Sequence, residues 1–299
     1  MIRINKLTKS FGDFRALDEV NITVNSGAVY GLVGPNGAGK TTLIKHLMGV
    51  YRPDSGTVKA DGEKVYENPQ VKSKMIYIPD DLYFHSQFNI ADAARFYANT
   101  YPCWDQKRYE KLKDYFPLQE KNRINRLSRG MQKQVAFWLG ICTMPRIMVL
   151  DEPMDGLDLV MRKKVWNLLL QDVAERGTTI LVSSHNLREL EDICSHIGII
   201  HDGQVLVERE LDNLKSDILK IQVVFEGSFP ENLLTDYQIL HHSENGSIHT
   251  LIIRDPGEEA ISKLKDAVPL FLDKLPLTLE EIFIYELEGR GYEVDQLLI

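Results

Sequence analysis

At 299 residues the chain is long enough for two domains, the first large enough to bury a sizeable core, and one small disulfide-stapled module is ruled out. Its 35 Lys and Arg against 43 Asp and Glu leave a formal charge of −8, which argues against nucleic acid as the main polyanionic partner. Charged residues at 26% and hydrophobic residues at 43% are ordinary for a soluble globular chain, and no apolar run reaches the roughly 18 residues of a membrane span.

The opening MIRINKLTKS has no apolar stretch of a secretory signal. Cys103, Cys142 and Cys194 are an odd number without C-x-x-C spacing, so reduced thiols in the cytosol are expected. Ile2, Ile4 and Leu7 alternate, as do Val20, Ile22 and Val24, which predicts two early strands. The short apolar run Ala28 to Val33 then predicts a strand, followed by a glycine-rich loop and helical spacing over Thr41 to Met48. From about residue 81 to 141 strand signals fade and helical patterns dominate, which reads as a helical subdomain inserted into an α/β core; Val135 to Met144 is its most apolar, buried helix. Strands return at Ile147 to Leu150 and Thr179 to Ser183 with a helix from about Asp158 to Glu175 between them, so the core sheet should be largely parallel. A hairpin around Asp202-Gly203 closes a first domain of residues 1–212. Residues 213–299 read as a smaller accessory α/β domain, with strands at Leu219 to Phe225, Ile239 to His242 and Ile248 to Ile253 and a helix from about Glu258.

Two segments carry chemistry on their own residues. Gly34-Pro35-Asn36-Gly37-Ala38-Gly39-Lys40-Thr41-Thr42 matches G-x-x-x-x-G-K-[ST] at a strand-to-helix junction, so its backbone N–H groups and helix N-terminus predict a phosphate cradle. Lys40 reaches the β and γ phosphates of a nucleotide, and Thr41 offers a hydroxyl to Mg²⁺. Ile147 to Leu150 ends in Asp151 and Glu152, which the strand places beside the loop; Asp151 is a candidate for the Mg²⁺ shell and Glu152 for orienting and deprotonating the attacking water.

Read together with these, Leu127-Ser128-Arg129-Gly130-Met131-Gln132 resembles the signature motif of ABC ATPases, commonly L-S-G-G-Q. Met154-Asp155-Gly156-Leu157-Asp158 is similar to the family's D-loop, and His185 to its switch histidine, a γ-phosphate contact. The resemblance covers about residues 1 to 212 and implies a P-loop ABC ATPase core. It assigns Phe11 to the aromatic position that stacks on adenine, with Phe14 as the fallback. It implies a head-to-tail dimer in which Ser128 and Gly130 of one chain cap the ATP held by Lys40 of the other. The chain departs from the pattern at Arg129 and Met131, where Gly and Gln are usual, and at Asp80, where a Mg²⁺-touching glutamine is usual. Asp80 is thereby a candidate for catalysis and for the metal shell.

The resemblance implies the ATP-hydrolysing subunit of a bacterial transporter, at the cytoplasmic face of the membrane, with a separate transmembrane permease and a second ATPase protomer, identical or not. The Asp80 pattern and the extra C-terminal domain are similar to exporter ATPases, including those handling peptides and antibiotics. The alternative is a non-transport ABC ATPase acting on ribosomes or DNA, but such chains usually carry two ATPase domains or long coiled coils, and neither is visible. Tyr83, Phe84 and Phe88 follow Pro79-Asp80 on the segment that borders the permease-docking groove in such transporters, so at least one of them is expected to be exposed.

Overall fold

The computed structural model describes residues 1–216, 218–227, 229–230, 235–254 and 257–288. They form two compact units: Met1–Asn186 with Ile193–Glu208, and Leu187–Asp192 with the described residues from Arg209 onward. The end of the expected C-terminal domain, residues 289–299, lies outside the described residues.

The first unit opens with β1 (Ile2–Phe11) and β2 (Phe14–Val24), whose alternating apolar positions are buried on one face. β3 (Val29–Val33) is buried at every position, and α1 (Lys40–Leu47) begins directly after the glycine-rich loop. There follow β4 (Ser55–Ala60), β5 (Glu63–Lys64), the short helix α2 (Pro69–Lys72) and β6 (Met75–Ile78). The helical insert comprises α3 (Ile90–Thr100), α4 (Gln106–Leu112) and α5 (Arg129–Cys142). The chain then runs through β7 (Ile147–Asp151), α6 (Leu159–Arg176), β8 (Thr179–Ser184), the short helix α7 (Leu187–Glu191) of the second unit, β9 (His196–His201) and β10 (Gln204–Glu210).

Strand order explains where the chemistry gathers. One sheet is antiparallel, in the order β2-β1-β4-β5; the other runs β10-β9-β3-β8-β7-β6. The pairs β3–β9, β3–β8, β8–β7 and β7–β6 are parallel, so the C-terminal ends of β3, β8, β7 and β6 open on one edge in that order. The segments that leave those four strands are therefore delivered side by side, at the edge where open parallel sheets place their ligands.

Apolar burial holds this arrangement. Leu43, Ile44 and Leu47 of α1 pack with Tyr30, Leu32, Val149 and Leu181 of the parallel strands. In the insert, Trp138 of α5 is fully buried, stacks on Tyr109 at 4.8 Å and on Phe116 at 6.1 Å, and donates its indole N–H to the Tyr109 carbonyl. Tyr83, by contrast, is 88% exposed, while Phe84 and Phe88 are half-buried. Among the described residues no helix is long and apolar enough to cross a membrane, and the three cysteines are free thiols.

The second unit contains α7, α8 (Leu211–Ser216), β11 (Ile218–Val224), β12 (Gln238–Asn245), β13 (Ile248–Arg254), α9 (Gly257–Asp266), β14 (Phe271–Leu275) and α10 (Leu279–Glu288). Its antiparallel sheet runs β12-β13-β11-β14, over a core of Ile221, Val223, Leu251, Ile253 and Leu264. α7 is bonded within this unit: Arg188 pairs with Glu280 at 3.1 Å, and Glu191 accepts the Leu279 N–H at 3.2 Å.

Candidate functional site

The loop after β3 ends at Gly39, whose φ of 106° few residues with a Cβ adopt, and α1 starts at the next residue. That turn brings Lys40 back over the loop, where its ammonium donates to the carbonyls of Gly34 at 2.5 Å and Pro35 at 3.1 Å. Burial lowers the Lys40 pKa, and the facing Glu152 and Asp151 carboxylates work against that shift. A buried cation held by backbone carbonyls at a strand-to-helix turn is well suited to a phosphate.

Asp151, at the end of β7, is 4% exposed and fully bonded. Its Oδ2 accepts from the Thr41 hydroxyl at 3.1 Å and the Tyr77 hydroxyl at 3.3 Å, and its Oδ1 accepts from Ser183, its register partner on β8. Tyr77 is held protonated by burial and by the Asp151 charge, so it remains a donor. Thr41 and Asp151 thus present hard oxygen donors side by side, a set that fits Mg²⁺.

Glu152 follows with φ at 44°, the left-handed region that side-chain-bearing residues seldom occupy. Its N–H donates to the Ser183 carbonyl at 3.1 Å, and its carboxylate lies 2.9 Å from the ring Nδ1 of His185. His185 itself is 58% exposed at the side chain, beyond the end of β8. A carboxylate paired to an imidazole at the mouth of a phosphate cradle can orient a water and take its proton.

Phe14, Lys40, Thr41, Thr42, Asp80, Asp151 and Glu152 line one cavity with the loop residues Pro35, Asn36, Gly37 and Gly39. At about 270 Å³ it is a small cleft, lined mainly by the phosphate-loop residues and the two carboxylates that end β7. Phe11 is not among the lining residues. It is the cross-strand partner of Phe14 at the hairpin tip and meets Tyr51 in a T-shaped contact with ring centroids 5.4 Å apart, so Phe14 is the aromatic side chain that faces the loop.

Ser128 and Gly130 also lie outside this lining. Ser128 caps α5, accepting the Met131 N–H at 3.3 Å, and Gly130 packs against Gly156. Asp80 lines the cavity, yet its carboxylate is bonded to Arg129 at 2.7 Å and lies 3.5 Å from Lys133. Two of the three departures from the expected motif pattern, Asp80 and Arg129, are therefore partners of each other. Tyr77, Ser183 and Lys133 were not anticipated from sequence; the only available signal was the i, i+4 spacing of Arg129 and Lys133 on α5.

Residues 17–155 match the family model for the ABC transporter domain. The chain is 33% identical over 291 residues to the ABC transporter ATP-binding protein YtrB of Bacillus subtilis, covering 97% of this chain and 99% of that one. It is 28% identical to the bacitracin transport ATP-binding protein BcrA of Bacillus licheniformis, over 85% of this chain and 90% of that one. Among solved structures, an ATP-binding subunit of an ABC transporter superposes with a TM-score of 0.68 at 26% identity, covering 72% of this chain and 92% of that one.

Proposed function

The chain belongs to the ATP-binding proteins of ABC transporters, which hydrolyse ATP to power transport, and from that premise we propose that two such cassettes close head to tail over two nucleotides and drive a separate membrane subunit. In this reading Lys40 binds the β and γ phosphates, the loop N–H groups cradle them, and the hairpin tip with Phe14 and Phe11 supports adenine. Thr41 and Asp151, with Asp80 at the same edge, would hold Mg²⁺, which supplies positive charge against the charge developing on the phosphates. Glu152 orients a water whose oxygen attacks the γ phosphorus; the bond to the β–γ bridging oxygen breaks, ADP leaves with that electron pair, and the water proton passes to Glu152. His185 donates to a γ-phosphate oxygen. Ser128 and Gly130, at the N-terminus of α5, close the partner's site.

Export is the proposed direction, with peptides or peptide-like antibiotics as the cargo class. Its support is the likeness to a bacitracin transport ATPase over most of both chains. The permease is proposed to dock at Tyr83, where a large aromatic ring stands 88% exposed just past Asp80. Work is proposed at the cytoplasmic face of the membrane, where ATP is supplied and where a subunit that powers a permease meets it.

The observation that carries the catalytic reading is the delivery of Lys40, Asp151, Glu152 and His185 to one sheet edge by β3, β7 and β8. Glu152→Gln keeps the cradle and removes the base. It should bind ATP with unchanged affinity, lose at least about a hundredfold in turnover and accumulate as an ATP-trapped dimer on size exclusion. Lys40→Ala should instead lose nucleotide binding. Full turnover by Glu152→Gln would sink the assignment.

A further inference from the structure

We infer that Lys133 is a positioning residue for hydrolysis: from inside α5 its ammonium holds the backbone carbonyl of Glu152 and so sets the direction of the Glu152 carboxylate. The inference rests on the reading of Glu152 as the water-orienting acid.

Lys133 is fully buried, where an ammonium is costly unless oxygens surround it and where a methionine would fill the same volume without that cost. Its Nζ lies 2.6 Å from the Glu152 carbonyl oxygen, a short charge-assisted bond, and 3.5 Å from an Asp80 carboxylate oxygen. The residue it grips is the one that needs gripping. Glu152 sits at a φ of 44°, so its orientation persists only while its surroundings over-determine it. Four partners do so: the Ser183 carbonyl on β8 takes the N–H, Lys133 of α5 grips the carbonyl at 2.6 Å with the Asp155 N–H behind it at 3.4 Å, and His185 takes the carboxylate.

Asp80 completes the device. It balances the buried Lys133 charge and shares its carboxylate with Arg129, which is 58% exposed one turn earlier on the same helix. The start of α5, the segment after β6 and the catalytic edge of β7 are thus joined through one lysine. Removing the ammonium leaves the Glu152 carbonyl with only the long bond from the Asp155 N–H, at 3.4 Å, and frees the strained backbone to turn, while the phosphate loop, to which Lys133 is not bonded, keeps its own contacts.

The test is the full-length chain with Lys133→Met and Lys133→Gln, followed by steady-state ATPase assays, affinity for a fluorescent ATP analogue and thermal melts. Lys133→Met should lose about tenfold or more in kcat with analogue affinity and KM within about twofold of the parent. Lys133→Gln, which still donates to the carbonyl, should fall in between. A folded Lys133→Met chain with kcat within about twofold of the parent overturns the inference, as does a loss of affinity in step with kcat. If Lys133→Met does not fold, Lys133→Gln decides: a fall of about threefold at unchanged affinity supports the inference, and unchanged kcat overturns it. Glu152→Gln is run alongside. If that variant keeps turnover, the reading of Glu152 has failed; if it is dead while Lys133→Met is fully active, only the positioning role has failed.

Discussion

A Cβ on Gly130 would stand 2.2 Å from the Gly156 carbonyl oxygen, so the start of α5 and the loop after Glu152 approach more closely than any side chain allows. Gly130→Ala must therefore push residues 154–158 aside. The expected cost is about 1–3 kcal/mol of stability, read as a lowered Tm, together with a fall in turnover at preserved nucleotide affinity. A variant with parental Tm and kcat would show that the two loops are not held together. At this scale legibility follows sequence distance. Lys40, Thr41, Asp151 and Glu152 were readable because the chemistry of each sits within a short run whose strand context is plain. Asp80, Arg129 and Lys133 were not readable as a group, because a salt bridge between residues 80 and 129 leaves no local periodicity. Tyr77 and Ser183 escaped for a related reason: each reads as one more position of a buried strand, and only the sheet register turns their hydroxyls onto Asp151.

Among elements, β3, β7 and β8 were legible as short apolar runs, since strands covered on both faces carry no polar alternation to confuse them. β4 was not, because Ser55, Gly56 and Thr57 dilute it and its strand state comes from pairing with β1. β14 failed similarly: most of its side chains face solvent, so it follows neither template. The aromatics of the insert divide in a way that element packing explains. Tyr109, Phe116 and Trp138 form the core between α4 and α5, whereas Tyr83 lies on the segment before α3 with most of its surface in water. Trp138→Ala should cost about 3–5 kcal/mol in urea unfolding. Tyr83→Ala should stay within about 0.5 kcal/mol of the parent, keep ATP binding and lose co-sedimentation with permease-containing membranes. Retained co-sedimentation would remove Tyr83 from the docking surface.

For the whole molecule, the chain path matters as much as the two cores. α7 begins two residues after His185, yet its bonds are to Glu280 and Leu279 of α10. Truncation after Asp212 removes those partners while leaving the phosphate loop, Asp151 and Glu152 intact. The shortened chain should bind the fluorescent ATP analogue nearly as well as the parent and hydrolyse ATP several-fold more slowly, because the His185 segment has lost an anchor on its C-terminal side. A folded truncation unable to bind nucleotide would contradict this division of labour.

The insertion of the helical subdomain between β6 and β7 has a mechanical consequence. These strands are neighbours in the sheet, but the chain leaves β6 at Ile78, on the catalytic edge, and returns at Ile147, on the opposite edge. Ile78 is the register partner of Leu150, so the two attachment points are three residues apart along the strands, about 10 Å. The insert is thus tied to the sheet at two points, one beside the chemistry and one away from it. On the proposed docking, a push at Tyr83 would meet Asp80 three residues earlier in the chain, which lies 3.5 Å from Lys133 and through it reaches Glu152, while Ile147 is buried in the sheet. Two routes therefore lead from the insert to the catalytic edge, one through the Asp80 carboxylate and Lys133, the other through the close approach of Gly130 to Gly156.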